Sequence, residues 1–232
     1  MISVLCPTRK RVELLAKMLE SCVATNHQSI EILMRCDFDD IDTLKFLQAP
    51  NSHNRVNQGA VFAGPRLEGY KSLPVFFNEL ATKSHGELIL MINDDAEFIT
   101  PGWDVKLAEE AAKYPDGIFN LGVDTVYNAQ NFVFPCISRK MYQILGKIHD
   151  ERLIYSDLWL RDVAKTFNRA IYMPEVKISH KWVGLGTPDK TRIEAQKCEG
   201  EALGVGGVGY WKLHDQCVQE AVEKIKNGGN IS

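Results

Sequence analysis

Two stretches of this chain set acid where an apolar strand should end. Residues 88–93, Leu-Ile-Leu-Met-Ile-Asn, are apolar up to the last and suit a strand buried on both faces. Asn93, Asp94 and Asp95 stand at its carboxyl end, where open α/β sheets bind ligands. Adjacent carboxylates repel each other, so positive charge is expected beside them, and a hard divalent cation bound through oxygen is the economical candidate. The plain alternative is an acidic turn, since Asp and Asn favour turns anyway. A second group, Asp37, Asp39, Asp40 and Asp42, follows a strand predicted over 30–34, and its plain reading is a solvated loop capping the helix at 44–47. Cationic residues accompany both. Arg9, Lys10 and Arg11 follow a first strand over 2–6 that Pro7 and Thr8 end. Arg66 and Lys71 lie in Gly-Pro-Arg-Leu-Glu-Gly-Tyr-Lys-Ser over 64–72, a loop able to approach a phosphate but not a Walker loop.

Such groups meet only if the strand ends that carry them lie side by side. Apolar spacing predicts a helix over 12–24, with Leu14, Leu15, Met18, Leu19 and Cys22 on one face. After a polar connection over 48–57 come a short strand near Val61 and a helix over 73–82 that carries Asn78 among apolar neighbours. Strand and helix alternating through short loops predict a right-handed, mostly parallel α/β sheet. Beyond Asp95 the order changes. A helix over 103–113 precedes strands over 118–123 and 131–137, helices over 139–146 and 156–168, and short strands over 171–172 and 176–179, the second ending at His180. This half reads as mixed and partly antiparallel. A last helix is expected over 213–226, with a disordered tail.

The chain has 232 residues, within reach of one large α/β domain, taken as 1–100, 101–212 and a closing helix and tail over 213–232. Charged residues make up 25% and hydrophobic ones 45%, which argues against long disorder. With 27 basic and 30 acidic residues the net charge is -3, no footprint for non-specific nucleic-acid binding. The six cysteines are scattered without a Cys-x-x-Cys pair, so they read as reduced thiols and not as a zinc or redox site. No apolar run approaches the ~18 residues of a membrane span, and the N-terminal charges follow the apolar run instead of preceding it. A soluble, cytoplasmic protein is expected.

In the order of these motifs the chain resembles GT-A fold glycosyltransferases of the family 2 type, which transfer a sugar from a nucleotide-sugar donor. The resemblance spans about residues 2–182 and implies a Rossmann-like central sheet flanked by helices, with a mixed C-terminal acceptor region. Strand, Pro7, Thr8 and helix correspond to the family's opening signature, with Arg9-Lys10-Arg11 where many members carry an aromatic residue, Asn and Arg. The resemblance implies that Asp37 binds the nucleotide base with help from Asp39, and that Asn78 stands before the Gly86-Glu87 that opens the metal strand. Asn93-Asp94-Asp95 is similar to the family's Asp-x-Asp motif with Asn in place of the first Asp. It implies a ribose contact for Asn93 and a metal bond for Asp95, with Asp94 as the alternative ligand. Tyr155-Ser156-Asp157 looks like the position of the catalytic base, usually an acidic pair, and His180 resembles a late histidine that adds a metal ligand.

The implied chemistry is displacement of a nucleoside diphosphate. Its developing charge would be met by Mn²⁺ or Mg²⁺ on Asp95 and His180, with imidazole favouring Mn²⁺. Arg9, Arg66 and Lys71 would supplement that charge, although the commoner fate of each such residue is an exposed surface cation. Asp157 would take the acceptor's proton, giving inversion, or would simply cap its helix. His180 has a structural reading as a satisfied histidine, and Trp103, Trp159 and Trp182 suit the core better than a sugar. Residues 204–209 fit Gly-x-Gly-x-x-Gly, yet no strand precedes them and too few residues follow for a dinucleotide site. With Gly184 and Gly186 they read as a mobile segment over the donor or a loose linker. The donor expected is a UDP-sugar. The acceptor stays open among a glycan, a lipid-linked saccharide, a protein and a modified nucleic-acid base. Two other functions remain: a nucleotide-sugar-binding protein without catalysis, and a sugar-phosphate nucleotidyltransferase, against which stands the lack of a glycine-rich basic loop after the first strand.

Overall fold

The computed structural model describes residues 1–49, 59–126, 132–180, 190–204 and 207–228. The chain begins with β1 (Ile2–Thr8), α1 (Val12–Thr25), β2 (Ile30–Asp37), α2 (Ile41–Gln48), β3 (Gly59–Gly64), a 3-10 turn at Gly69–Ser72, α3 (Leu73–Lys83) and β4 (Leu88–Met91). β1, β2 and β4 are buried along their whole length, as strands covered on both faces must be. Alternation then divides their side chains. Val4, Cys6, Ile32, Met34 and Leu90 join the core under α1, while Leu5, Leu33, Ile89 and Met91 join the core on the other face, under α3.

The second half supplies β5 (Ala96–Phe98), α4 (Trp103–Ala111), β6 (Asn120–Asp124), β7 (Pro135–Ser138), α5 (Arg139–Leu145), α6 (Ser156–Lys165), β8 (Ala170–His180), α7 (Lys190–Leu203) and α8 (Val208–Gly228). The eight strands run in the order β3-β2-β1-β4-β7-β6-β8-β5. β1 pairs in parallel with β2 and β4, and β2 with β3; antiparallel pairing enters at β4–β7, β6–β7 and β5–β8, and β6–β8 is parallel again. The expected α/β architecture, parallel first and mixed after Asp95, is what the chain adopts.

Three local expectations need correction. The strands expected over 171–172 and 176–179 are one strand, β8, because a register shift between Val123 and Asp124 absorbs the residues around Pro174, which has no N–H to give a ladder. α7 was not expected; it is poor in apolar residues and buries mainly Ala195 and Cys198. Of the glycine-rich stretch, Gly204 follows the end of α7 and Gly207 precedes α8, at φ of +54° and +64°, and Gly209 already lies in α8, so this part of it is not a loose tail linker. Asn131, Trp182, Gly184, Gly186, Val205, Gly206, the end of the connection over 48–57 and the tail past 228 lie outside the described residues. All six cysteines are buried free thiols.

Gly86 fixes how β4 enters the sheet. Its N–H donates to Ser3 Oγ at 2.7 Å and to Glu31 Oε1 at 3.0 Å, tying the turn before β4 to both β1 and β2. A Cβ there would lie 2.6 Å from the Ser3 backbone nitrogen, which no side-chain adjustment can relieve. Gly86→Ala is therefore expected to cost about 1–3 kcal/mol, read as a lower urea midpoint at unchanged slope. An unshifted midpoint would remove this close approach as a constraint.

Candidate active site

The carboxyl ends of the parallel strands open onto a cleft of about 780 Å³, the size of an ordinary ligand pocket. Pro7, Thr8, Arg9, Asp37, Arg66, Asn93, Asp94, Asp95, Asp157 and His180 line it. Asp39, Lys71 and Asn78 are not among its walls. Asp39 is exposed and holds Arg9, while Lys71 pairs with Glu201 of α7 at 2.9 Å. Asn78 spends its amide on the chain between α5 and α6: Oδ1 accepts from the Ile148 and His149 N–H groups, and Nδ2 donates to the His149 carbonyl, each at 3.0 Å. A second Nδ2 bond goes to Glu151 at 2.9 Å.

Asp94 and Asp95 are 4% and 5% exposed, so their charges need partners inside the protein. Thr8 Oγ1 donates to Asp94 at 2.9 Å, and Arg11 Nη1 stands 3.0 Å from Asp94 and 3.3 Å from Asp95. The third member of the basic triplet thus supplies the expected positive charge. Burial drives the Asp94 carboxyl up to about 6 against the opposing pull of Arg11, with Asp95 adding to the rise. Burial also pushes Asp95 up, but His180, Arg11 and a backbone donor outweigh it and hold that carboxyl below its ordinary value.

His180 Nε2 lies 3.3 Å from Asp95 Oδ1 and 3.3 Å from Asn93 Nδ2. One nitrogen cannot both donate to the first and accept from the second. The contact with Asp95 is within ion-pair distance, and Oδ1 is buried with no hydrogen bond made to it. A buried carboxylate oxygen in that state, beside an imidazole, is a donor set that fits a divalent transition metal. Among the described residues no three His, Cys, Asp or Glu side chains form a group that could hold a metal alone. Its other ligands would have to come from a bound molecule and water.

Asp37 draws three guanidinium groups to the ends of β2 and β3. Arg35 Nη1 donates to its Oδ1, Arg9 Nη1 to its Oδ2 at 2.7 Å, and Arg66 Nη1 lies 3.3 Å from the same oxygen. Arg35 is itself buried, with its Cζ 3.6 Å from the centroid of the Phe76 ring and its Nη2 on the Pro65 carbonyl. Gly64 makes room for it, since a Cβ there would meet Nη2 at 2.9 Å. Asp40 does what the plain reading of the acidic cluster expected: its side chain caps α2 at Thr43 N, and it also accepts from the Lys10 N–H at 2.6 Å.

Asp157 lies in the first turn of α6, where Tyr155, not Asp157, occupies the N-cap position. Burial in the cleft wall raises its carboxyl to about 6, while backbone N–H groups, Arg161 and His180 pull the other way. α8 braces this turn from behind: the Tyr210 hydroxyl accepts from the Tyr155 N–H at 2.9 Å and the Cys217 carbonyl from Trp159 Nε1 at 3.1 Å. Trp103 and Trp159 are fully buried, as core residues.

Several lining residues escaped sequence reasoning. Arg35 left a signal, a charge inside an apolar strand with Asp37 two residues on and so on the same face. Thr125 and His149 left none. Nor did Glu194 of α7, which binds Arg66 and accepts from the Tyr70 N–H at 2.9 Å, docking α7 beside the cleft by polar contacts.

No protein-family model matches the sequence, and comparison with curated proteins finds no match. Solved structures do share the fold. A mannosyltransferase from Pyrobaculum calidifontis in complex with GDP-Man and Mn²⁺ aligns with a TM-score of 0.64 at 12% identity, over 99% of this chain and 76% of that one. S. aureus TarS in complex with UDP aligns with a TM-score of 0.60 at 14% identity, over 97% and 71% of the two chains. TarS in complex with UDP-GlcNAc gives 0.59 at 12% identity, over 97% and 72%. The chain therefore has a GT-A-like fold.

Arg11→Met is expected to destabilise the protein by about 3 kcal/mol, because it leaves Asp94 buried with only the Thr8 hydroxyl and Asp95 with only His180. Adding Asp94→Asn should return part of that loss by removing one of the uncompensated charges. Urea unfolding of the parent, both single variants and the double variant measures the coupling; strictly additive effects would show that Arg11 does not neutralise Asp94.

Proposed function

We propose that this protein is a metal-dependent, inverting glycosyltransferase that moves a sugar from a nucleotide-diphosphate sugar, in the first instance a UDP-sugar, to an acceptor hydroxyl. One observation carries the reading. Two carboxyl groups on the same cleft have been pushed apart in acidity, Asp95 below its ordinary value and Asp157 up to about 6. Such a separation, with Asp95 beside His180 and Asp157 on the α6 side of the same cleft, supports charge binding by the first and proton transfer by the second; Asp94 shares the upward shift but is held by Thr8 and Arg11. The fold shared with proteins solved with GDP-Man, UDP and UDP-GlcNAc supports the same donor chemistry.

In this reading Asp95 and His180 hold Mn²⁺ or Mg²⁺, with Asn93 on the ribose. When bound, a divalent cation supplies the positive charge that a departing nucleoside diphosphate requires. Arg11 adds a fixed guanidinium to the same end of the cleft, and Arg66, held between Asp37 and Glu194, would supplement that charge near the phosphates. Asp37 acts by gathering Arg9, Arg35 and Arg66. Asp157 Oδ accepts the proton of the acceptor hydroxyl as it attacks the anomeric carbon from the face opposite the leaving group, which inverts the configuration. A carboxyl near 6 is ionised at neutral pH yet basic enough for that transfer.

Asp95→Ala is expected to abolish Mn²⁺-dependent binding of UDP or GDP in calorimetry while leaving the fold intact. Binding equal to the parent would return Asp95 to a structural role. Asp157→Asn should lower single-turnover transfer by ~10² to 10⁴ at nearly constant donor affinity, and parental transfer should rise with pH through about 6. Stability gives an independent sign. A carboxyl raised in the folded state stabilises fully below its unfolded value and loses that contribution as pH rises through about 6. The Asn variant should therefore melt higher than the parent at pH 7–8, with the gain vanishing near pH 4. Parental transfer together with no gain in melting temperature would eliminate Asp157 as the base. Parental donor binding with no transfer to any acceptor would favour a binding protein.

A further inference from the structure

The cleft contains a titratable side chain that none of this chemistry uses. His149, between α5 and α6, is 7% exposed, lines the cleft and has neither Nδ1 nor Nε2 in a hydrogen bond. Buried polar groups in folded proteins are nearly always paired, and leaving one unpaired destabilises the native state. This ring leaves two. Its surroundings explain why no proton compensates: the Phe77 ring lies 4.8 Å away, Leu73, Pro74, Met91 and Ile154 line the same cleft, and burial lowers the imidazole to about 3. At any physiological pH the ring is neutral, with one nitrogen donating and the other accepting.

The backbone of His149 is held with equal care. Asn78, fixed on α3, accepts from its N–H and donates to its carbonyl, so the backbone that carries the ring cannot shift without breaking both bonds. Seven residues on, Ser156 Oγ donates to the Asp150 carbonyl at 2.9 Å and ties this segment to the turn of α6 that bears Asp157. A neutral, unpaired donor and acceptor beside the Phe77 ring, on a backbone tethered to that turn, is arranged for an uncharged ligand group. An anion would be better met by the arginines at the other strand ends.

We propose that His149 is a specificity residue that hydrogen-bonds the sugar being transferred, through a hydroxyl or acetamido group, while Asn78 is its positioning residue. The inference rests on the reading of the cleft as a sugar-nucleotide site. It also gives Asn78, which does not line the cleft, a purpose there: the residue serves the donor through the backbone of another segment.

The test compares affinities for UDP and GDP with those for UDP-GlcNAc, UDP-glucose and GDP-mannose, all with Mn²⁺, in the parent and in His149→Phe. The Phe ring keeps the aromatic packing on Phe77 and removes both nitrogens. Affinity for the nucleoside diphosphate should stay within about twofold, whereas affinity for the sugar nucleotide that the parent prefers should fall about tenfold or more, the effect of leaving a ligand hydrogen-bonding group unpaired. The ligand-free variant should melt higher than the parent, since two buried unpaired atoms have gone. His149→Asn or His149→Gln, which place an amide near Nδ1 or Nε2, should recover part of the sugar term. An unchanged ratio of sugar-nucleotide to diphosphate affinity would overturn the assignment, as would a raised acceptor KM in its place. A lower melting temperature with loss of both ligands in all three variants would mark His149 as merely structural. Failure of the parent to bind any of these nucleotides would overturn the functional reading and this inference together.

Discussion

Everything near the cleft follows from burying two consecutive carboxylates at the end of β4. Asp94 and Asp95 cannot both ionise in a poorly hydrated site unless opposite charge is brought to them. The chain meets that demand from three directions: Thr8 from the end of β1, Arg11 from the start of α1, and His180 from the end of β8. Satisfying the pair therefore fixes the lateral order β1-β4, the entry angle of α1 and the length of β8 at once. The apolar layers give the sheet its stability, but this electrostatic demand decides which strand ends must meet.

Much of this was legible in the sequence because apolar runs that end in acid are a strong signal. The parallel first half, the change of topology after Asp95 and the acids at the ends of β2 and β4 follow from apolar runs and their spacing, whereas a place for Asp157 and His180 at the same site was implied only by the resemblance. What could not be read was the choice among like residues. Arg9 and Arg11 are two positions apart with the same chemistry, and only the turn into α1 decides that Arg9 faces Asp37 and Arg11 faces Asp94. α7 was illegible for a different reason. It docks through Glu194 on Arg66 and Glu201 on Lys71 instead of an apolar stripe, so the periodicity that marks helices was never written into it.

The cleft also concentrates the unfavourable terms of the fold. Asp95 Oδ1, Thr125 Oγ1 and both nitrogens of His149 are buried there without hydrogen bonds, and Asp94 and Asp157 both carry carboxyls pushed up by burial. A protein selected for stability alone would have replaced several of these groups with apolar ones. Unpaired buried atoms also occur away from the cleft, at Thr43, Trp103, Asn120, Arg169 and His214, so it is their placement against a ligand-sized space, and not their number, that gives those of the cleft a use.

The irregularity in β8 acts as a phase shifter. Between Val123 and Asp124 the partner strand advances from Met173 to Lys177, so one step on β6 is matched by four on β8. Because strand side chains alternate between faces, this odd excess of three inverts the parity of everything that follows. It is also what brings His180 level with Ala96 and within reach of the Thr125 carbonyl. Insertions or deletions around Pro174 are thus not equivalent: an even change preserves the face on which His180 emerges, while a single-residue change would turn the imidazole to the far side of the sheet. Drift in this exposed bend is quantised, and the quantum is two residues.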